Sequence, residues 1–183
     1  TVLAILTSLT ASSFYLYEFL ARVFPAAITT QITQQFHLSP ISLSMLASAF
    51  FLGYAPMQIP SGLLIDRFGE IKCLLIGFFI CALSSALLVS TDHYSLAYIS
   101  RLLIGISASV AFIGAIKVIN RLIPSAYFAM SVGLLQCLGC LGAIIGESPI
   151  ASLSLHYGWQ RTGYMISIFG IILTCLLLLS TTK

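Results

Sequence analysis

Charge is what this sequence has least of. Lys, Arg, Asp and Glu make up 7% of its 183 residues, eight basic and five acidic, for a net charge of +3. A soluble domain of this length carries far more charge to keep its surface wet. The basic residues are scattered rather than clustered, which excludes a nucleic-acid surface. No P-loop pattern occurs, which excludes a pump driven directly by ATP. Pairs such as His with Glu or Ser with Lys are missing from the apolar stretches, so no intramembrane enzyme is expected. The five cysteines all lie in apolar stretches. Cys137-x-x-Cys140 has no second ligand pair, and its neighbours Gly133, Gly139 and Gly142 mark it as two small packing residues. No metal and no cofactor are expected.

What is present is apolar: 59% of the residues, with a mean hydropathy of +1.07. One bilayer crossing takes about 20 such residues, so the length suits about six spans with short loops. They are expected near residues 2–28, 41–64, 73–90, 96–119, 127–153 and 162–180. The first stretch is too long, and too charged at its far end, for a signal peptide. Residues 29–40 read as a polar loop without Lys or Arg. Pro56 and Pro60 are expected to bend or loosen the second span.

The most informative stretch runs from Gly62 to Lys72. It holds four of the chain's charged residues, Asp66, Arg67, Glu70 and Lys72, within seven positions. Between two apolar runs, that reads as a short loop at the water interface. Arg67, Lys72, Arg121 and Lys183 fall in the second and fourth loops and the C-terminus, whereas the odd-numbered loops hold only Arg161. The positive-inside rule then puts both termini in the cytoplasm of a multi-pass protein of the cell (inner) membrane. Lys117 is expected to snorkel to that surface. His37, His93 and His156 fall in outer loops as solvated side chains.

A shift of 89 residues lays the second span and its loop on the fifth. Gly53 then meets Gly142, Pro60 meets Pro149 and Gly69 meets Gly158, while Gln58 meets Glu147 and Lys72 meets Arg161. Three spans separate the copies, so the repeats are inverted. The expected fold is an all-α membrane protein, a single domain over 1–183 with repeats of about 1–90 and 91–183. Inverted three-span repeats are a transporter architecture, with the site near the midplane at their interface.

An ionisable side chain inside a span is costly, and so a candidate for function. Counted at 1.5 Å per residue from the outer ends of the spans, Arg101 lies about 8 Å deep, Arg22 and Glu147 about 9 Å, and Glu18 about 15 Å. Glu18 and Arg22, four apart, share a helical face. Arg22 or Arg101 is suited to hold an anionic group, because its planar fork bonds carboxylate or phosphate bidentately. Glu18 or Glu147 is the candidate proton-coupling carboxylate, and ion pairing that ties helices together is the alternative for all four. Tyr15, Tyr54 and Gln58 are candidates to add hydrogen bonds in the cavity. Asp66, Arg67 and Arg121 are expected to form a charge cluster that latches one conformation, with Gly62 and Gly69 permitting a tight turn at either end.

Gly62-x-x-x-Asp66-Arg67-x-Gly69 resembles the signature loop between helices two and three of the major facilitator superfamily. The string from Gly53 to Gly62 is similar to that of the family's anion:cation symporter members. Arg101-x-x-x-Gly105 is similar to the fourth-helix arginine motif, and Gly158-Trp159-Gln160-Arg161 resembles the start of the sixth helix. There are departures: Glu70 and Ile71 follow Gly69 where the family has two basic residues, and Gly146-Glu147-Ser148-Pro149 replaces the Gly-Pro motif of drug antiporters. The resemblance implies a secondary transporter of a small solute, an organic anion by preference, working by alternating access with a proton or Na⁺ as coupling ion. It also implies a latch that engages a second half. The family has twelve spans, so this chain matches the N-terminal six and calls for a second six-helix half or a second copy as partner within the lipid bilayer. The competing expectation is a non-transporting remnant or an assembly or regulatory subunit, since one half encloses no complete pathway.

Overall fold

Away from water every backbone N–H and C=O must find its partner within the segment, and long apolar stretches meet that demand as helices. The computed structural model describes residues 2–181. Among them α1 spans Val2–Ala27, α2 Thr29–Phe36, α3 Pro40–Phe68, α4 Glu70–Ser90, α5 Tyr94–Leu122, α6 Phe128–Tyr157 and α7 Trp159–Thr181, with a 3₁₀ turn at Ser125–Tyr127 before α6. None of the described residues is in a strand. Five of the helices, α3 to α7, are long and apolar enough to cross a membrane. At 26 residues α1 is of comparable length. Lys183, used above for orientation, lies outside the described residues.

Two expectations of loop are corrected. Residues 29–36 fold as α2, because Ile28, Ile32 and Phe36 recur every four positions and turn one stripe inward; Ile28 and Ile32 are buried. The charged stretch is not a loop but the meeting of two helices. α3 runs on to Phe68, α4 begins at Glu70, and Gly69 alone turns the chain. Its φ of 89° and ψ of 149° belong to a region reserved for glycine, and its N–H closes α3 on the Ile65 carbonyl. Gly158 repeats this between α6 and α7. Gly62, by contrast, sits inside α3 with open space around it and takes no part in the turn. α3 runs through Pro56 and Pro60 without a break. Its own start is legible: Pro40 occupies the first turn and Ser39 caps it by accepting from the Ser42 N–H.

Helices pack closely where side chains vanish. Gly53 of α3 faces the Leu102 carbonyl of α5, and Gly105 of α5 faces the Phe50 carbonyl of α3, so each backbone fills the other's notch. On the other flank Gly142 and Gly146 of α6 receive the Leu16 and Leu20 carbonyls of α1. Between these seams α4 lies on α5 and α7. Phe14 stacks on Phe78 with ring centroids 4.0 Å apart, and both are fully buried. The centre is therefore α1 and α5, the two helices that carry Glu18, Arg22 and Arg101.

Candidate functional site

Glu18 and Arg22 project from the same side of α1, one turn apart, but into different surroundings. The Glu18 side chain is fully buried, and neither carboxylate oxygen has a hydrogen-bond partner. Arg22 Nη1 stands 4.0 Å from Glu18 Oε1, at the limit of an ion pair, and the Arg22 side chain is 32% exposed. Its guanidinium lies over the rings of Phe19, at 4.6 Å, and Phe51, at 5.6 Å. Arg101 comes in from α5 and is 3% exposed. Its Nη1 donates to the Ala21 carbonyl and its Nη2 to the Arg22 carbonyl, both at 3.2 Å. The Phe50 ring is within cation–π reach of both arginines, 5.9 Å from Arg22 and 5.4 Å from Arg101.

Arg22 and Arg101 share the wall of a cavity of about 440 Å³ bounded by α1, α2, α3 and α5. Thr29 and Ser44 are the other polar residues of that wall, which is otherwise apolar. Largely apolar walls with a few fixed polar groups are the usual make-up of small-molecule sites. Glu18 is not in the wall but behind it. Tyr15 stands on α1 and Tyr54 on α3. They do not reach the cavity: the Tyr15 hydroxyl donates to Gln136 Oε1 at 3.2 Å, and the Tyr54 ring stacks on Phe50 at 5.5 Å. Gln58 is half-buried beside Tyr54. Glu147 is exposed on α6 and makes no hydrogen bond or ion pair among the described residues. The structure thus gathers three of the four intramembrane charges and leaves Glu147 apart.

The expected cluster of Asp66, Arg67 and Arg121 is corrected as well. Asp66 pairs with Lys117, and Arg121 pairs with Glu70, Nη1 to Oε1, at 2.6 Å. Arg67 lies over the Phe68 ring at 5.4 Å and has no ion pair among the described residues. Lys117 is therefore a partner and not only a snorkelling cation. The missed signal is one of spacing. Lys117 and Arg121 are one turn apart on α5, and they take Asp66 from the end of α3 and Glu70 from the start of α4, on either side of the Gly69 turn, as a ladder with two rungs.

Residues 3–183 match the profile of the Major Facilitator Superfamily. The chain belongs to that family. It is 26% identical over 163 residues to "Uncharacterized transporter YybO" of Bacillus subtilis, covering 89% of this chain and 38% of that protein. It is 24% identical over 153 residues to "Probable galactarate/D-glucarate transporter GarP" of Escherichia coli, covering 80% of this chain and 34% of that protein. Among solved structures it superposes on a bacterial homologue of the human lysosomal transporter Spinster, in an inward-facing and unoccupied conformation. The TM-score is 0.87 at 17% identity, over 99% of this chain and 43% of that one. The chain spans about a third of the length of these curated relatives. Family and fold agree with the apolar helices in making it a multi-pass membrane protein. The superfamily members it matches are transporters and not enzymes.

Proposed function

We propose that this chain forms one six-helix half of a secondary transporter that moves a small organic anion by alternating access, with a proton or Na⁺ as coupling ion. The observation that carries the reading is the Arg22 guanidinium, partly open to a cavity of about 440 Å³ with Arg101 in the same wall. Arg22 is the ligand for a carboxylate or phosphate of the solute, and its planar fork suits a bidentate bond. Glu18 sits one helical turn behind with neither oxygen hydrogen-bonded, where it takes and gives a proton as the solute comes and goes. The name of the galactarate/D-glucarate relative supports a sugar-acid dianion as the class to test first.

The six-span, inverted-repeat architecture is part of the same proposal. A shift of 89 residues carries Pro40–Phe68 to within one residue of Phe128–Tyr157, and Glu70–Ser90 onto the start of Trp159–Thr181. It also carries the Gly69 turn onto the Gly158 turn and the α3–α5 seam onto the α6–α1 seam. That exchange supports repeats of about 1–90 and 91–183 within one domain. The basic residues support cytoplasmic termini in the inner membrane. α6 buries only Leu135, Gly139, Gly142, Gly146 and Ser154, and exposes Met130, Leu134, Leu141 and Ile144. A face so apolar supports a second six-helix half, or a second copy, across the pathway. The same exposed face leaves room for the other reading, an assembly or regulatory subunit that docks without transporting.

Uptake of labelled galactarate into proteoliposomes tests the proposal, with the wild type beside Arg22→Gln. Saturable uptake that follows an imposed proton or Na⁺ gradient, and that Arg22→Gln weakens at least tenfold in affinity, is the expected result. Uptake indifferent to Arg22 removes it as the ligand. Absence of transport for every sugar acid and carboxylate, with or without a second half supplied, leaves the docking subunit as the better account.

A further inference from the structure

Pro25 stands inside α1, and the helix continues beyond it to Ala27. A proline there has no N–H for the carbonyl four residues back, and its ring presses that carbonyl outward. The carbonyl in question is that of Ala21. Ala21 is buried, so water does not reach that carbonyl and the gap must be filled by protein. Arg101 fills it: Nη1 donates to the Ala21 oxygen and Nη2 to the next carbonyl along the chain, that of Arg22, each at 3.2 Å. The guanidinium is rigid and planar, so two bonds from its two ends fix both carbonyls relative to α5. The Phe50 ring lies against the guanidinium at 5.4 Å.

We propose that Arg101 is a positioning residue, the clamp for the turn of α1 that Pro25 opens, and that it sets where the Arg22 side chain stands in the cavity. Both terminal nitrogens are engaged by backbone oxygens, and only Nε is without a partner. Arg101 thereby spends two of its five N–H groups, one on each terminal nitrogen, on holding α1. Its contribution to solute binding, which rests on the reading of Arg22 above, runs through the α1 backbone. The clamp itself does not depend on that reading.

The test is a double-mutant cycle between Arg101→Met and Pro25→Ala in protein held in nanodiscs. Alanine at 25 restores the missing N–H, which bonds the Ala21 carbonyl and makes the clamp redundant. Hydrogen exchange in residues 21–29 needs no solute. Arg101→Met alone is expected to raise it roughly tenfold, and in the Pro25→Ala background to change it less than about twofold. The dissociation constant for galactarate is expected to weaken roughly tenfold with Arg101→Met and to recover in the double variant. Should Arg101→Met fail to fold alone but fold with Pro25→Ala, that rescue supports the clamp. Should both fail, Arg101→Lys decides, because a single ammonium reaches only one carbonyl and gives intermediate exchange. Unchanged exchange with Arg101→Lys or Arg101→Met, or loss of galactarate binding equal in both backgrounds, overturns the proposal and makes Arg101 a direct ligand. If the wild type binds no galactarate, the sugar-acid reading fails and the exchange arm still judges the clamp.

Discussion

Gly69 and Gly158 hold the same backbone conformation, φ 89° with ψ 149° and φ 88° with ψ 141°, each ending one long helix and opening the next. Residues with a Cβ avoid this region, so Gly69→Ala and Gly158→Ala are each expected to destabilise the fold by about 1–3 kcal/mol. Gly62 provides the contrast. It lies in a helix with nothing near the place of a Cβ, so Gly62→Ala is expected to leave stability unchanged or raise it by about 0.5–1 kcal/mol. Thermal melting of the three variants in one detergent measures the difference. Equal losses at all three positions would mean that backbone strain is not what fixes these turns.

The seam between α1 and α6 gives a second contrast on a single helix. A Cβ at Gly142 runs into the Leu16 carbonyl, which is backbone and does not step aside, whereas one at Gly133 meets nothing. Gly142→Ala is expected to lower the melting temperature by several degrees and Gly133→Ala to leave it in place. A melt insensitive to Gly142→Ala would mean that the two helices do not meet backbone to side-chain notch at Gly142.

Composition alone made the helices legible, because 59% apolar content with 7% charge leaves few folds but membrane helices. Span centres followed from the apolar runs. Span ends did not, since charged residues such as Asp66 and Arg67 continue a helix into water as readily as they make a loop; only the glycine φ marks the break. α2 is illegible in the sequence because Ile28, Ile32 and Phe36 are too few to stand out among polar neighbours. Glu18, Arg22 and Arg101 drew attention simply by being charged within spans. Their division of labour was illegible. Which of them faces a cavity depends on helix rotation, and the Arg101 bonds to Ala21 and Arg22 join residues 80 and 79 positions apart.

The ladder of Asp66 with Lys117 and Glu70 with Arg121 predicts a functional effect larger than its structural one. The Asp66 side chain is 66% exposed and that of Lys117 37%, so this pair falls in the class worth about 0–1 kcal/mol. Asp66→Ala is expected to leave melting almost unchanged, and to leave the dissociation constant of the solute unchanged, while slowing uptake. Exchange of Asp66 with Lys117, as Asp66→Lys with Lys117→Asp, is expected to restore part of the rate. A parallel fall in affinity and rate after Asp66→Ala would count against a latch.

The fully buried carboxylate of Glu18 predicts an exchange of stability for function. Both its oxygens lack hydrogen-bond partners, and Arg22 is 4.0 Å away and partly exposed, too distant and too wet to compensate in full. Glu18→Gln keeps the shape and removes the charge, so the fold is expected to gain up to about 1–3 kcal/mol, seen as a higher melting temperature. Uptake driven by an ion gradient is expected to be lost, while exchange of labelled for unlabelled solute across the membrane persists, because Arg22, the proposed anion ligand, is intact. This pairing separates the two roles assigned to one helix face. Loss of solute exchange along with driven uptake would make Glu18 part of the binding site. A lower melting temperature would mean that its oxygens are satisfied by water or a bound ion, and that its burial is not a cost to the fold.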